Sequence, residues 1–252
     1  MIRSYVKYRR KAVNAHGLHS PFLYEFYQKV VRRKNYVRQP EIESLRSSLL
    51  QRKAKIRVTD YGAGSRVQAN DLRSIASITR TASMPRKKGM FLNRLLEYYE
   101  CRTVLELGTS LGIGTAYFSK ARTVNSVLTI EGCPNIAQIA KENFDGLNCS
   151  NVELRVGRFD KALKGVNQVF DFVYIDGNHL EGATLEYFKF ALEHTHEDSF
   201  IVFDDINWSD GMKSAWKKII AQPNVHVSMD FFQFGIVCKR PTQRKQDFTI
   251  KF

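Results

Sequence analysis

The stretch from Val104 to Thr115, VLELGTSLGIGT, constrains the fold more than any other part of the chain. Thr103 to Leu105 and then Leu107 are apolar or β-branched and read as a buried parallel strand, after which Gly108, Gly112 and Gly114 turn the backbone into a helix. Glycine permits positive φ and lets a ligand approach the backbone, while the helix start presents unpaired N–H groups and partial positive charge. Such a loop suits a cofactor; without one it is a tight strand-to-helix turn. Its G-x-x-x-G-x-G spacing departs from the dinucleotide fingerprint, and the P-loop lysine is missing. Glu106 stands at the strand end, and Glu131 closes the next apolar strand, Ser126 to Ile130. A carboxylate there is the expected acceptor for a pair of ribose hydroxyls.

In these residues the chain resembles the class I S-adenosylmethionine-dependent methyltransferases. The resemblance implies that the loop, with Glu106, Gly108, Thr109, Ser110, Gly112, Gly114 and Thr115, wraps the methionine and ribose parts of S-adenosylmethionine. It implies that Glu131, with Gly132 beside it, holds the ribose, and that Gly157, Arg158 and Phe159 contact the adenine.

From Cys101 onward strands and helices alternate, as a parallel sheet demands. Strands are expected at 152–156, 170–175 and 199–203, and helices at 135–147, 160–164, 182–193 and 210–221. Two strands, Val225 to Met229 and Gly235 to Lys239, close the sequence around DFFQF. That hairpin adds to the resemblance, which covers roughly residues 83 to 240. The expected fold is α/β, a seven-stranded Rossmann-like methyltransferase sheet with the last strand antiparallel and helices on both faces. The expected division is a basic, mainly helical extension over residues 1–82 and a methyltransferase domain over 83–252.

The formal charge of +14 is concentrated in the extension: residues 1–57 hold 15 Lys/Arg against 3 Asp/Glu, a net of +12. That face can attract nucleic acid, an anionic lipid surface or an anionic small substrate; the alternative is a solvated helical face. Ser20 and Pro21 begin a helix with an apolar stripe of Phe22, Leu23, Phe26, Tyr27 and Val30. A second helix is expected from Glu41 to Lys53, and the segment is read as a lid on the substrate side. His16 and His19 are three apart, a conceivable metal spacing without a third ligand nearby, so capping or loop packing is favoured. Ile56 to Ser65 also reads as a strand and glycine turn, but the polar Arg66 to Asn70 follows it where a sheet-packing helix should stand. Helices are expected at 71–81 and 88–99. The link between them, Ser83-Met84-Pro85-Arg86-Lys87-Lys88-Gly89, resembles the segment that covers the cofactor in O-methyltransferases of the catechol and caffeoyl-CoA type.

Hydrophobic residues make up 43% of the chain, yet no apolar run approaches the roughly 18 residues that span a bilayer. The N-terminus lacks the apolar core of a secretory signal, and the four cysteines form no C-x-x-C pair. These features lead us to expect a cytoplasmic protein without disulfides; a homodimer is compatible with them.

Ligands of open α/β sheets bind at the carboxyl ends of the strands. The fourth strand ends in Tyr174-Ile175-Asp176-Gly177-Asn178-His179 and the fifth in Asp204-Asp205-Ile206-Asn207-Trp208. Asp176, Asp204 and Asp205 would repel one another unless neutralised, and a hard divalent cation, Mg2+ or Mn2+, suits oxygen ligands. In the catechol-type family the metal sits on an aspartate after the fourth strand and an Asp-Asn pair after the fifth. That resemblance implies Asp176, Asp204 and Asp205 as metal ligands, with Asp-Asp here in place of Asp-Asn. Asp176 also reads as a cofactor contact. His179 falls where the family carries its lysine base and could accept a hydroxyl proton, or serve as a ligand or packing residue. The expected function is O-methylation of a hydroxylated small molecule. The alternatives are RNA methylation through the basic extension and non-catalytic binding of S-adenosylmethionine. Against amino-group methylation of bases, the fourth strand ends in IDGNH and not in N/D-P-P-Y.

Overall fold

A computed structural model of the chain describes residues 2–14, 20–32, 39–59 and 72–252, with Ile2 and Arg3 described by their backbone alone. His16, His19, the glycine turn at 60–65 and the polar stretch 66–70 lie outside the described residues. Contacts divide the chain into two units, Met1–Lys34 with Asn167–Phe252, and Asn35–Val166. The basic segment 1–57 is thereby shared between them.

The first unit begins with helices α1 (Ile2–Lys11) and α2 (Pro21–Phe26), the latter running on as a π-helical turn over Tyr27–Val31. Pro21 sits in the first turn of α2, where its missing N–H costs no bond, although the Ser20 side chain makes no capping bond. Phe22, Leu23, Phe26 and Val30 are buried, as their spacing requires, and the Phe26 ring packs near Phe200 and Phe231.

The second unit starts with α3 (Pro40–Gln51) and a small antiparallel pair, β1 (Lys55–Arg57) and β2 (Leu72–Ser74). The expected helix at 71–81 starts only at Ile75, as α4 (Ile75–Ala82): Leu72 to Ser74 is paired with 55–57, and the Ser74 hydroxyl then accepts the Ser77 N–H at 3.1 Å. Next comes α5 (Arg86–Tyr98), which takes in most of the lysine-glycine segment and leaves Ser83 to Pro85 as the link. The parallel trio β3 (Thr103–Leu107), β4 (Ser126–Glu131) and β5 (Val152–Val156) follows, with α6 (Ile113–Ser119), α7 (Pro134–Gly146) and the short α8 (Phe159–Ala162). Leu107 pairs with Ile130 and Glu131 with Val156, so the segments after all three strands leave from one edge. Ile42 and Leu49 of α3 join Ile75, Tyr117 and Phe144 in this unit's core. Helix α3 is therefore built into the unit that carries the glycine loop.

The chain then returns to the first unit with β6 (Phe170–Ile175), α9 (Glu181–Glu193), β7 (Thr195–Asp204), α10 (Asp210–Ala221), β8 (Val227–Asp230), β9 (Phe234–Cys238) and β10 (Gln246–Thr249). Strands β6 and β7 are parallel; β9 runs antiparallel to β7 and β8, as expected of the closing hairpin. The two units hold eight strands of the α/β fold against the seven expected, and the additional one is β10, parallel to β8. The polar QDFT carries no apolar alternation to announce it. Helix α1 is fastened to this end of the chain: the Tyr8 hydroxyl donates to the Ile250 carbonyl at 2.5 Å, and the Val13 N–H to the Thr249 carbonyl at 2.8 Å. Tyr5 and Tyr8 also pack on Phe232 at ring-centroid distances of 5.0 and 5.3 Å. Among the described residues no helix is long and apolar enough to cross a membrane.

Candidate functional site

The second unit carries the glycine loop. Gly108 has φ +109° and Gly112 φ +81°, and a β-carbon at Gly112 would stand 2.5 Å from the Phe144 ring. Only glycine satisfies both demands at that position. Ser110 between them also has positive φ, +50°, in a region that non-glycine residues enter at a cost of about 1 to 3 kcal/mol. Its N–H donates to Glu131 Oε2 at 2.8 Å, and the Cys133 N–H donates to Glu131 Oε1 at 2.9 Å. The Glu131 carboxylate is thus fixed, half-buried, at the tip of β4 by both neighbouring loops. Gly157 starts from the same edge, its N–H bonded to the Glu131 carbonyl at 2.9 Å. Gly132 is half-buried there, while Arg158 points to solvent and pairs with Asp160 at 3.1 Å, ahead of Phe159.

Beneath the loop lies Glu106, 1% exposed. Its Oε2 accepts the Thr115 hydroxyl at 2.5 Å and the Thr129 hydroxyl at 2.6 Å; Thr109 in turn bonds Thr129 at 2.6 Å. Glu106, Thr109 and Thr115 therefore anchor the loop from below, whereas Gly108, Ser110, Glu131, Gly132 and Gly157 form its rim. Two buried hydroxyls, Ser110 Oγ in the loop and Ser83 Oγ in the link before α5, have no hydrogen-bond partner. Burial, outweighing the two hydroxyl bonds, pushes the Glu106 carboxyl up from the usual 4.5 to about 8. Between those values the folded chain holds a proton that the unfolded chain has released, so stability falls as pH rises. The expected slope is at most ~1.4 kcal/mol per pH unit, and Glu106→Gln flattens it. Urea melts of both proteins from pH 5 to 8.5 check this.

The first unit carries the carboxylates. Asp176 Oδ1 and His179 Nε2 stand 3.8 Å apart, and both lie with an Asp205 carboxylate oxygen in a cluster whose ligand atoms are all within 4.8 Å of one another. Asp204 is not part of it, contrary to the expected triad. Its side chain is buried, accepting the Tyr174 hydroxyl at 2.5 Å and the Asp205 N–H at 3.0 Å. The next residue, Asp205, has φ +53°, and this left-handed turn is where the two aspartates part: one side chain goes to the core, the other to the cluster. Asn178 has φ +63° and donates to the Tyr187 hydroxyl at 3.2 Å; its Oδ1 is buried without a partner. The Asn207 side-chain amide donates to the Phe232 carbonyl at 2.8 Å, tying the Asp205 loop to the β8–β9 turn on which α1 rests. Trp208 is 62% exposed.

Residues 105–206 match the family model of a methyltransferase domain. The fold is that of a methyltransferase. A catechol O-methyltransferase from Niastella koreensis is 30% identical over 131 residues, which cover 49% of this chain and 58% of that protein. A protein-L-isoaspartate O-methyltransferase from Petrotoga mobilis is 38% identical over 96 residues, 38% of this chain and 44% of the relative. The chain thus spans about half the length of the curated relatives it matches. Among solved structures, an O-methyltransferase from Bacillus cereus in complex with SAH superposes with a TM-score of 0.56 at 24% identity, covering 63% of this chain and 84% of that one. An SAH-bound methyltransferase from Podospora anserina gives a TM-score of 0.60 at 13% identity and covers 91% of this chain and 97% of its own. The methyltransferase fold accounts for the glycine loop and Glu131 at neighbouring strand ends. Tyr174 was missed as a functional neighbour because it reads as one more apolar residue of a buried strand; its offset of two from Asp176 was the available signal.

Proposed function

We propose that the chain is an S-adenosylmethionine-dependent methyltransferase that methylates a hydroxyl group of a small molecule. The observation that carries this reading is the Glu131 carboxylate, held by two backbone amides beside a positive-φ glycine loop. S-adenosylmethionine, when bound, supplies an electrophilic methyl group on sulfur. Glu131 would accept the ribose hydroxyls from the tip of β4, the unpartnered Ser110 hydroxyl suits a polar ligand, and Gly157 to Phe159 would flank the adenine. Residues 83–252 form the proposed catalytic domain and 1–82 its extension.

The first unit would hold the acceptor. Asp176, His179 and Asp205 would hold a divalent cation, whose positive charge lowers the pKa of a coordinated hydroxyl. The nitrogen ligand shifts the preference from Mg2+ toward Mn2+ or a later divalent ion. Without a cation, His179 is placed to accept the hydroxyl proton beside Asp176. A second reading, methylation of RNA, draws on α1, where Lys7, Arg9, Arg10 and Lys11 are exposed and make no ion pair among the described residues.

Calorimetric titration of S-adenosylhomocysteine into the full chain tests the proposal, with Mg2+, Mn2+ or a chelator present. The expected result is micromolar binding that Glu131→Ala weakens at least about tenfold, plus a metal titration lost in Asp205→Ala. No binding by the parent protein would refute the methyltransferase reading. Binding without any metal effect would leave His179 as the base. Tight RNA binding that weakens steeply with salt would favour the second reading.

A further inference from the structure

Helix α3 lies outside the family match and in the basic extension, yet two of its polar side chains, Glu43 and Arg46, are part-buried and bonded within the glycine loop's unit. Glu43 accepts the buried Tyr117 hydroxyl at 2.7 Å, and Arg46 pairs with Glu43 at 3.2 Å across one helical turn. Tyr117 is on α6, the helix that the glycine loop starts. The same Arg46 reaches out of the helix and donates through Nη2 to the Met84 carbonyl at 2.7 Å. Met84 is buried, and its methyl carbon would lie 3.1 Å from a β-carbon at Gly114. Glu106 Oε1 would be 3.0 Å from the same position. One residue before Met84 is Ser83, whose buried hydroxyl has no partner. A chain of contacts thus runs from α6 through Tyr117, Glu43 and Arg46 to the Ser83–Met84 link and back to the glycine loop at Gly114.

Ion pairs on a helix surface contribute little by themselves, but this one is two-thirds or more shielded on both side chains and ends on a backbone carbonyl that has left regular structure. A guanidinium with two separate acceptors fixes the distance between them more rigidly than a lysine could. Pro85 has no N–H to donate, so the backbone of the link is held through its carbonyls, Met84 O by Arg46 and Pro85 O by the Gly89 N–H at 2.9 Å.

We propose that Glu43 and Arg46 are positioning residues for the cofactor: they hold the Ser83–Met84 link against the glycine loop and present the Ser83 hydroxyl to S-adenosylmethionine. This rests on the methyltransferase reading above. It assigns helix α3 to cofactor binding, and not to the substrate-side lid that the basic extension suggests.

Two measurements on the full chain test it: affinity for S-adenosylhomocysteine, and amide hydrogen exchange of the peptide spanning residues 83–89 in the ligand-free protein. In Arg46→Ala, affinity should fall at least about tenfold and exchange at 83–89 should quicken at least about tenfold, with the β3 amides unchanged. Arg46→Lys, which can still reach the Met84 carbonyl, should recover part of both. Glu43→Gln keeps a side chain able to accept from Tyr117 and should fall between wild type and Arg46→Ala. Wild-type-like affinity and exchange in Arg46→Ala would overturn the proposal, as would loss of affinity with exchange raised equally in β3, which marks general unfolding. If the parent protein binds no S-adenosylhomocysteine, the methyltransferase reading and the cofactor role fail together. Exchange at 83–89 would then still report whether the link is held by Arg46.

Discussion

Gly112→Val is expected to destabilise the chain by about 3 to 4 kcal/mol and to remove S-adenosylhomocysteine binding. Two independent costs add at this residue. A β-branched side chain at φ +81° enters the left-handed region at a cost of roughly 1 to 2 kcal/mol, and its β-carbon collides with Phe144, where overpacking adds about 1 to 3 kcal/mol. For a chain of this size each kcal/mol lowers Tm by about 2 to 4 °C, so a fall near 10 °C is expected in a thermal melt. Gly112 also caps the start of α6, so relief of the clash has to move the loop backbone itself. The companion Gly157→Ala should carry only the backbone cost of φ +147°, about 1 to 3 kcal/mol, because nothing lies within 4 Å of a β-carbon there. Equal losses in the two variants would refute a steric role for Phe144.

Asp176→Asn is expected to lower turnover by about a hundredfold or more with a hydroxylated acceptor, a loss on the scale of a removed acid–base or metal-ligating group. The substitution keeps shape and hydrogen bonding while removing the charge that faces His179 at 3.8 Å and Asp205 in the same cluster. Initial rates with and without a chelator read the effect: the parent protein should lose activity to the chelator, and the variant should have little metal-dependent activity left to lose. Unchanged turnover would show that the cluster is only a solvated group of charges. Asp204→Asn is the control, since Asp204 is committed to Tyr174 and to the Asp205 N–H. Its effect should appear as lost stability.

The parts of this architecture that could be read from residues are those in which the backbone dictates the residue type. Gly108 and Gly112 need positive φ, so the loop announces itself, and Glu131 is legible because a charged residue closing an apolar strand can only stand at the strand end. The cluster of Asp176, His179 and Asp205 was less legible. Which of two adjacent aspartates faces the cluster is decided by Tyr174, a partner on a neighbouring strand, and by a left-handed turn that sequence spacing does not encode. His179, read as a base or ligand, joins the cluster in place of Asp204. The pair of β1 and β2 was half legible: a strand reads from Ile56, whereas Leu72 to Ser74 reads as helix, since three residues show no alternation. The placement of α3 was obscured by charge: a basic segment reads as one surface, whereas Ile42 and Leu49 bury the helix in the core of the glycine-loop unit.

The fastening of α1 to the far end of the chain bears on the order in which the protein can mature during synthesis. Tyr8 and Ile250, joined by a hydrogen bond, are separated by 242 positions. At about 5 to 20 residues per second, a ribosome needs about 10 to 50 s to deliver the second partner after the first. Residues 35–166 are continuous and can close on themselves as they emerge; α1 and α2 must wait through the making of that entire unit before β6 to β10 exist to receive them. Over that interval Tyr5, Tyr8 and Phe26 lack their later-made neighbours Phe232, Phe200 and Phe231. The dense positive charge of residues 1–34, interleaved with these rings, favours a solvated, self-repelling segment until its seat has been made.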